Sequence, residues 1–138
     1  MPYTLLEHTA DIGIVVDEDS QKEAFATAAT AMFDIIIDGN IVPEEEKHIS
    51  LSARDTGRLL VDFLSELLFL FDVEGYMVSQ AVISIDQREN NEKEYLLDAK
   101  LLGETFQPSR HVKETEIKAV TYHMLEAEKG HLRVLFDI

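Results

Sequence analysis

The stretch RLLVDFLSELLFLFD, residues 58–72, decides how the rest of this 138-residue chain is arranged. Its polar residues Arg58, Asp62 and Glu66 recur at every fourth position, which predicts a single solvent-facing stripe on an α-helix. Most other side chains are apolar, and the run LLFLF at 67–71 covers every side of the helix. Such a helix fits best between packed layers, so we expect a layered fold with this helix at its centre.

A second helix is predicted upstream, where Ser20 followed by Glu23 forms a capping box. The side chains expected to face the core from this helix are apolar and spaced for one face: Phe25, Ala28, Ala29, Met32, Phe33 and Ile36. Glycine and asparagine at 39–40 should end it. A similar cap, Ser52 with Asp55, is expected before the central helix.

Alternating apolar segments predict strands on both sides of the helices. The predicted strands are 3–7, 12–17, 48–53, 76–87, 93–102, 117–125 and 132–138. A polar turn at 88–92 and a second turn at 129–130 indicate hairpins. The order of a hairpin, a helix, a strand, a helix and further hairpins predicts one α+β domain over residues 1–138. Its two main helices should pack on a mainly antiparallel or mixed β-sheet.

The charge balance excludes some classes of partner. With 27 acidic and 12 basic residues the net charge is −15, and this field repels nucleic-acid phosphates, so direct nucleic-acid binding is not expected. Many of the acidic residues can simply serve solubility. The chain has no cysteine, so a metal would have to be bound by oxygen or imidazole.

No segment predicts membrane insertion or export. No apolar run without charges is long enough to span a bilayer. The N-terminal sequence MPYTLLEHTAD has neither a basic head nor a long apolar stretch, so we expect a cytoplasmic protein.

Carboxylates stand in unusual places near both ends of the chain. HTADIGI at 8–14 puts Asp11 where an apolar strand begins, and RVLFDI at 133–138 puts Asp137 opposite its apolar neighbours. Asp11 can be a turn former, or a ligand or base. Asp137 can belong to an ordinary edge strand with its carboxylate in water, or to a site.

A metal site follows if the last strand pairs near the first hairpin. Asp11, Asp137 and the α-carboxylate of Ile138 would then converge, and three anionic groups repel one another unless a cation lies among them. Carboxylate and carbonyl oxygens select hard ions, so calcium or magnesium is expected.

The remaining candidates have simpler alternatives. His8 and His123 can line such a site behind its ligands, although a histidine at a strand end more often makes a structural hydrogen bond. His111, beside Arg110, is a weaker candidate. Lys118 can be an isolated surface cation, or it can approach a phosphate or guanylate group of a partner. No nucleophile triad or phosphate-binding loop is present, so no catalytic residue is predicted.

Five segments occur in an order that resembles the archease family over essentially the whole chain. They are HTADIGI (8–14), AFATAATAMFDIIID (24–38), LLVDFLSELLFLFD (59–72), RHVKETEIKAVTYHML (110–125) and the terminal FDI (136–138). One position departs from the family pattern, because His131 follows Gly130 where an aromatic residue such as tryptophan is expected.

The resemblance implies an accessory protein and not an enzyme. Archeases assist RtcB-type RNA ligases, which seal tRNA halves after guanylylation of an active-site histidine, by promoting guanylylation and multiple turnover. The family's metal site maps onto Asp11, Asp137 and Ile138, with calcium as the usual ion, and a lysine important in the family maps onto Lys118.

Two other functions remain as alternatives. One is a chaperone-like modulator of tRNA-modifying enzymes such as tRNA methyltransferases. The other is a metal-dependent hydrolase using Asp11 with His8, which the lack of further acid or base residues near that motif disfavours.

Overall fold

The computed structural model describes residues 2–7, 11–89 and 92–138. Within these residues the elements, in chain order, are β1 (Tyr3–Glu7), β2 (Asp11–Asp17), α1 (Gln21–Ile36), β3 (Ile37–Asp38), β4 (Glu45–Ala53), α2 (Thr56–Glu74), β5 (Tyr76–Glu89), β6 (Lys93–Thr105), β7 (Val112–Lys113), β8 (Ala119–Glu128) and β9 (His131–Asp137). The strands form sheets of order β1-β2-β9-β8, β4-β6-β5 and β3-β7. All of these pairings are antiparallel, and the predicted α+β class is confirmed.

Helix α1 begins as its sequence predicts. The Ser20 hydroxyl accepts a hydrogen bond from the Glu23 N–H and donates one to the Glu23 carboxylate. All six residues predicted to face the core are buried. The helix ends at Ile36, earlier than the predicted stop at 39–40, because Ile37 is extended and pairs with β7.

Helix α2 is capped by one of the two residues predicted. The Asp55 side chain accepts a hydrogen bond from the Arg58 N–H at 2.7 Å, whereas Ser52 belongs to β4 and pairs with Leu96. At the other end Gly75 has a φ of 72°, a conformation that glycine adopts without steric cost, and its N–H reaches the carbonyls of the last turn.

The expectation that LLFLF is covered on every side is wrong at one position. Leu67, Leu68 and Leu70 are buried, but Phe69 is 54% exposed and Val73, one turn later, is 64% exposed. Both lie on the side of α2 that carries the polar stripe, while the other sides pack against β8, β4 and β5.

A single hydrophobic core joins both helices to the four-stranded and three-stranded sheets. Helix α1 packs on β5 and β2, and the rings of Phe25 in α1 and Phe63 in α2 stack with centroids 6.0 Å apart. The packing of the helices therefore fixes the position of the two sheets. It also fixes where β2, β8 and β9 end. Within the described ranges no helix is long and apolar enough to cross a membrane.

Several strands are longer than the alternation predicts. Strand β4 starts at Glu45 instead of 48, because the Glu45 carbonyl accepts from the Tyr76 hydroxyl and its carboxylate accepts from the Thr105 N–H. The β5–β6 hairpin continues to the pair Glu89 and Lys93, and the tip of its predicted turn, 90–91, lies outside the described residues.

Candidate metal centre at the end of the four-stranded sheet

The last strand lies inside the four-stranded sheet. Strand β9 pairs with β2 on one side and β8 on the other, so Asp137 does not belong to an edge strand and that alternative is wrong. In the β2–β9 ladder Asp11 is directly opposite Asp137, and on the other side Asp137 is opposite Ala119. The strand ends that carry the two predicted carboxylates therefore meet.

The apolar alternation explains why both carboxylates lie on the same face. Ile12 and Ile14 of β2 and Val134 and Phe136 of β9 are buried in the core. Since side chains alternate along a strand and paired residues share a face, the aspartates project from the sheet face opposite the core. If either strand slipped by one residue, its aspartate would turn towards the core and the two carboxylates would no longer share a face, so the core fixes the site.

Gly13 contributes to this register through a close contact. It pairs with Leu135, and a Cβ at Gly13 would lie 2.9 Å from the Val134 carbonyl oxygen and 3.1 Å from Leu135 Cγ. Leu135 is 1% exposed although it projects from the same face as the aspartates. A glycine is therefore required for Leu135 to pack over β2, two residues from Asp11.

The aspartate pair is electrostatically unfavourable by itself. Directly opposed residues have Cβ atoms about 4.5–5.5 Å apart, and like charges at that spacing destabilise a sheet. Both side chains are half-buried, and within the described residues no ion pair with lysine, arginine or histidine includes either one. A cation between them would remove the repulsion.

The donor chemistry fits a hard cation. Carboxylate oxygens are the ligands that calcium and magnesium prefer. Across residues 2–7, 11–89 and 92–138, no three His, Cys, Asp or Glu side chains are grouped as metal ligands. Asp11 and Asp137 thus supply two side-chain donors, and further oxygens would have to come from the main chain, including the α-carboxylate predicted at Ile138.

Lys118 is brought to the same end of the sheet. It immediately precedes β8, its side chain is exposed, and its N–H donates a 2.7 Å hydrogen bond to the Asp137 carbonyl. The candidate cation and the two candidate carboxylates, which are far apart in sequence, are thereby neighbours in the fold.

Of the two candidate histidines, only His123 falls within the described residues. His123 is exposed in an irregular part of β8, where its N–H donates to the Thr121 hydroxyl at 3.3 Å. It lies four residues beyond Ala119, about 13 Å along an extended strand. His8 falls outside the described residues. A role for either histidine near the ligands stays a prediction.

His111 belongs to a buried polar cluster that the sequence did not reveal. Its Nδ1 accepts from the Gln107 N–H at 3.0 Å, so Nε2 carries the proton and donates to the Asn40 carbonyl at 3.0 Å. Glu104, 1% exposed, accepts hydrogen bonds from Arg110 and from the Val42 N–H. The bond from Arg110 lowers the pKa of Glu104. The cluster joins the end of β6, which contains Glu104, to the loops that carry Val42 and His111, and no periodic signal marks it.

His131, the departure from the family pattern, forms a charged network at the far end of the sheet. Its Nδ1 lies 2.7 Å from Asp17 Oδ1 and its Nε2 lies 3.1 Å from Glu126 Oε1. Hydrogen bonds to Asp17 and then Glu126 raise the pKa of His131. The position therefore connects β2, β9 and β8 by polar contacts where an aromatic residue was expected.

An open cleft of about 900 Å³ lies elsewhere, near the start of α2. Arg54, Arg58 and Lys93 line it together with three acidic residues, and Arg54 pairs with Glu92 at 2.8 Å. Since its charges balance and neither Asp11 nor Asp137 lines it, the cleft is separate from the carboxylate pair.

Comparison with known proteins agrees with the fold and identifies the family of the chain. The model of the Archease protein family matches residues 3–138. The archease of Methanosarcina acetivorans is 44% identical over 128 residues, which cover 92% of this chain and 86% of that protein. The archease of Pyrococcus abyssi is 42% identical over 124 residues, covering 89% and 85%.

Two solved structures have the same fold. The solution structure of protein 1598 of Methanobacterium thermoautotrophicum has a TM-score of 0.77 at 30% identity and covers 99% of both chains. A crystal structure from Thermotoga maritima, described as an archease and possible chaperone, has a TM-score of 0.54 at 24% identity, covers 96% of this chain and 94% of its own, and supports the fold alone. The family model spans nearly every residue, and the alignments with the two archeases cover most of this chain and most of each relative. This chain therefore belongs to the Archease protein family.

Proposed function

We propose that this protein is a metal-binding accessory factor that activates an RtcB-type RNA ligase in the cytoplasm during tRNA splicing and RNA repair. The observation that carries the proposal is the pairing of Asp11 with Asp137, with Lys118 hydrogen-bonded through its N–H to Asp137. Membership of the archease family supports the choice of an RNA ligase as the partner.

The proposed ligands are Asp11, Asp137 and the α-carboxylate of Ile138, with calcium as the ion and magnesium as the substitute. When bound, the ion would offset the repulsion between the opposed carboxylates, because its two positive charges cancel most of the charge of the three anionic ligands. The chain's own contribution is positional, because the β2–β9 register holds both side chains on one face before any ion arrives.

The charge of the whole chain suits a partner that handles RNA. A net charge of −15 would steer the protein towards the basic surface on which a ligase binds RNA and nucleotide. In this proposal the protein contacts the ligase and not the RNA, since a phosphate backbone would be repelled. Lys118, whose side chain is exposed and whose main-chain N–H is bonded to Asp137, is the cation that we assign to approach a phosphate or guanylate of the ligase.

The direct experiment follows covalent guanylylation of a matched RNA ligase with radiolabelled GTP, with and without this protein. The expected result is faster guanylylation and more than one ligation per ligase molecule in the presence of calcium or magnesium. Serum albumin at equal concentration controls for non-specific protein effects. Unchanged guanylylation and turnover would contradict the proposal.

The second candidate is a chaperone-like modulator of tRNA-modifying enzymes. It is favoured by the exposed Phe69 and Val73 on α2, since exposed apolar side chains can bind unfolded segments. The archease of Thermotoga maritima is also described as a possible chaperone. A chaperone should suppress the thermal aggregation of unrelated proteins such as citrate synthase, whereas a ligase cofactor should not.

A further inference from the structure

Strand β8 carries a large irregularity close to the carboxylate pair. Ala119, Val120 and Thr121 pair regularly with β9, but the register then shifts, so that residues 122–125 stand opposite the single residue Val134. We call residues 122–125 the β8 bulge. Met124 within it has a φ of 54°, a conformation that L residues other than asparagine and aspartate rarely adopt.

The β8 bulge is fixed on both sides. The Thr121 hydroxyl donates to the Leu135 carbonyl at 3.0 Å and accepts from the His123 N–H at 3.3 Å. Arg133 Nε donates to the Met124 carbonyl at 3.0 Å, and Leu125 packs against the core. An unfavourable φ held by so many contacts indicates a conformation that the fold imposes.

The bulge presents two large side chains to solvent. Tyr122 is 57% exposed and Met124 is 47% exposed. Aromatic residues and methionine are enriched in the centres of protein interfaces, and a segment held rigid before binding loses little conformational entropy on binding. The bulge also interrupts the free edge of β8, which disfavours binding by addition of a strand.

We infer that the β8 bulge is the docking element for the RNA ligase, with Tyr122 and Met124 inserting into an apolar pocket on the rim of the ligase's basic nucleotide cleft. The inference rests on the proposed function. Ala119 is opposite Asp137, so Tyr122 lies about 10 Å along the strand from the carboxylate pair. A partner bound to the bulge would therefore also meet Asp11, Asp137 and Lys118.

Charge complementarity identifies the occupant as a basic protein surface. The flanking segments carry exposed Glu114, Glu116 and Glu128, with Lys113, Lys118 and Lys129 among them, and the acidic excess belongs to the chain as a whole. An apolar pair on a chain whose net charge is −15 would be repelled by a second copy of the same chain. It suits a pocket bordered by lysine and arginine, as at a site that binds RNA phosphates.

The test is a fluorescence anisotropy titration of matched RNA ligase into the N-terminally labelled protein, using the variant Tyr122→Ala/Met124→Gly. Glycine at 124 removes the side chain and also relieves the positive φ, so the fold should persist. The control is Val82→Ala, since Val82 is 62% exposed on β5 of the other sheet. Calcium titration and circular dichroism are measured on the same samples.

The expected result is a loss of ligase affinity of at least tenfold for the double variant, with unchanged calcium affinity and spectrum, and no loss for Val82→Ala. Equal ligase binding by wild type and double variant would overturn the docking role while leaving the proposed function intact. A fall in calcium affinity that matches the fall in ligase affinity would also overturn it, because the effect would then act through the metal site.

Two further outcomes are distinguishable. If the wild type neither binds nor stimulates the ligase, the proposed function fails and the docking role fails with it. If sedimentation velocity shows a wild-type dimer that the double variant dissociates, while ligase affinity is unchanged, the occupant is a second copy and the inference is wrong.

Discussion

Asp17 and His131 face each other across the β2–β9 ladder, at the end opposite to Asp11 and Asp137, with 2.7 Å between Asp17 Oδ1 and His131 Nδ1. Glu126 on β8 contacts the other ring nitrogen. One imidazole thus joins three strands, and its protonation should matter for their stability.

The first prediction concerns pH. Because the pKa of His131 is raised above its usual 6.5 in the folded protein, the network stabilises the fold fully below pH 6.5, and this contribution is lost as pH rises through the folded pKa. Urea unfolding of wild type and His131→Gln should show a stability difference that favours the wild type at pH 5.5 and shrinks by pH 8.5. A difference independent of pH would mean that the network does not titrate.

The second prediction concerns Asp11→Asn. Removal of one of two opposed charges should lower calcium affinity at least tenfold, about 1.4 kcal/mol, and reduce ligase activation in parallel. In the presence of a chelator the variant should be as stable as wild type or more stable by about 0.2–1 kcal/mol, since the repulsion is gone.

Calorimetric titration with calcium, together with thermal unfolding in chelator, measures both effects of Asp11→Asn. Asp86→Asn, an exposed carboxylate on β5, is the matched control. Unchanged calcium affinity in Asp11→Asn would mean that Asp11 only forms the turn between the first two strands.

The third prediction concerns Lys118→Ala. An exposed lysine contributes little to folding, so the free energy of unfolding should change by less than about 0.5 kcal/mol, and calcium binding should persist. Stimulation of ligase guanylylation should fall at least tenfold. Lys22→Ala, an exposed lysine on α1, should leave stimulation unchanged. Loss of folding in Lys118→Ala would point to a structural role.

The fourth prediction concerns Ile138. Extending the chain beyond it converts the proposed anionic ligand into a neutral amide, so a C-terminal tag should lower calcium affinity and ligase activation. The same tag at the N-terminus carries no proposed ligand and should have a much smaller effect. Titration of the two forms side by side, with circular dichroism as a check of folding, gives the comparison. Equal behaviour would exclude the α-carboxylate as a ligand.

Local signals made the helices and the carboxylate pair predictable. Ser20 and Asp55 are N-caps whose side chains can satisfy backbone donors only at a helix start. Asp11 and Asp137 both occupy positions that alternate with buried apolar residues, so they share the face opposite the core, and the β2–β9 register places them opposite each other.

The other features depend on contacts between residues that are distant in the sequence, so no local sequence pattern predicts them. The β8 bulge depends on Arg133 reaching the Met124 carbonyl, which no periodicity of β8 itself encodes. His111 lies in a loop that returns to Glu104 near the end of β6, so the cluster has no spacing signature. Phe69 belongs to an apolar run and is nevertheless exposed, because its position on the helix surface, and not its hydrophobicity, decides its burial.

The position of β9 between β2 and β8 has a consequence for biosynthesis. While the chain is being made, β2 can pair with β1, but its other edge has no partner until β9 has left the ribosome. Asp11 therefore meets Asp137 only after every other described element has been translated. A nascent or prematurely terminated chain would lack the carboxylate pair, so the proposed metal binding and ligase activation would be restricted to molecules that have finished both synthesis and folding.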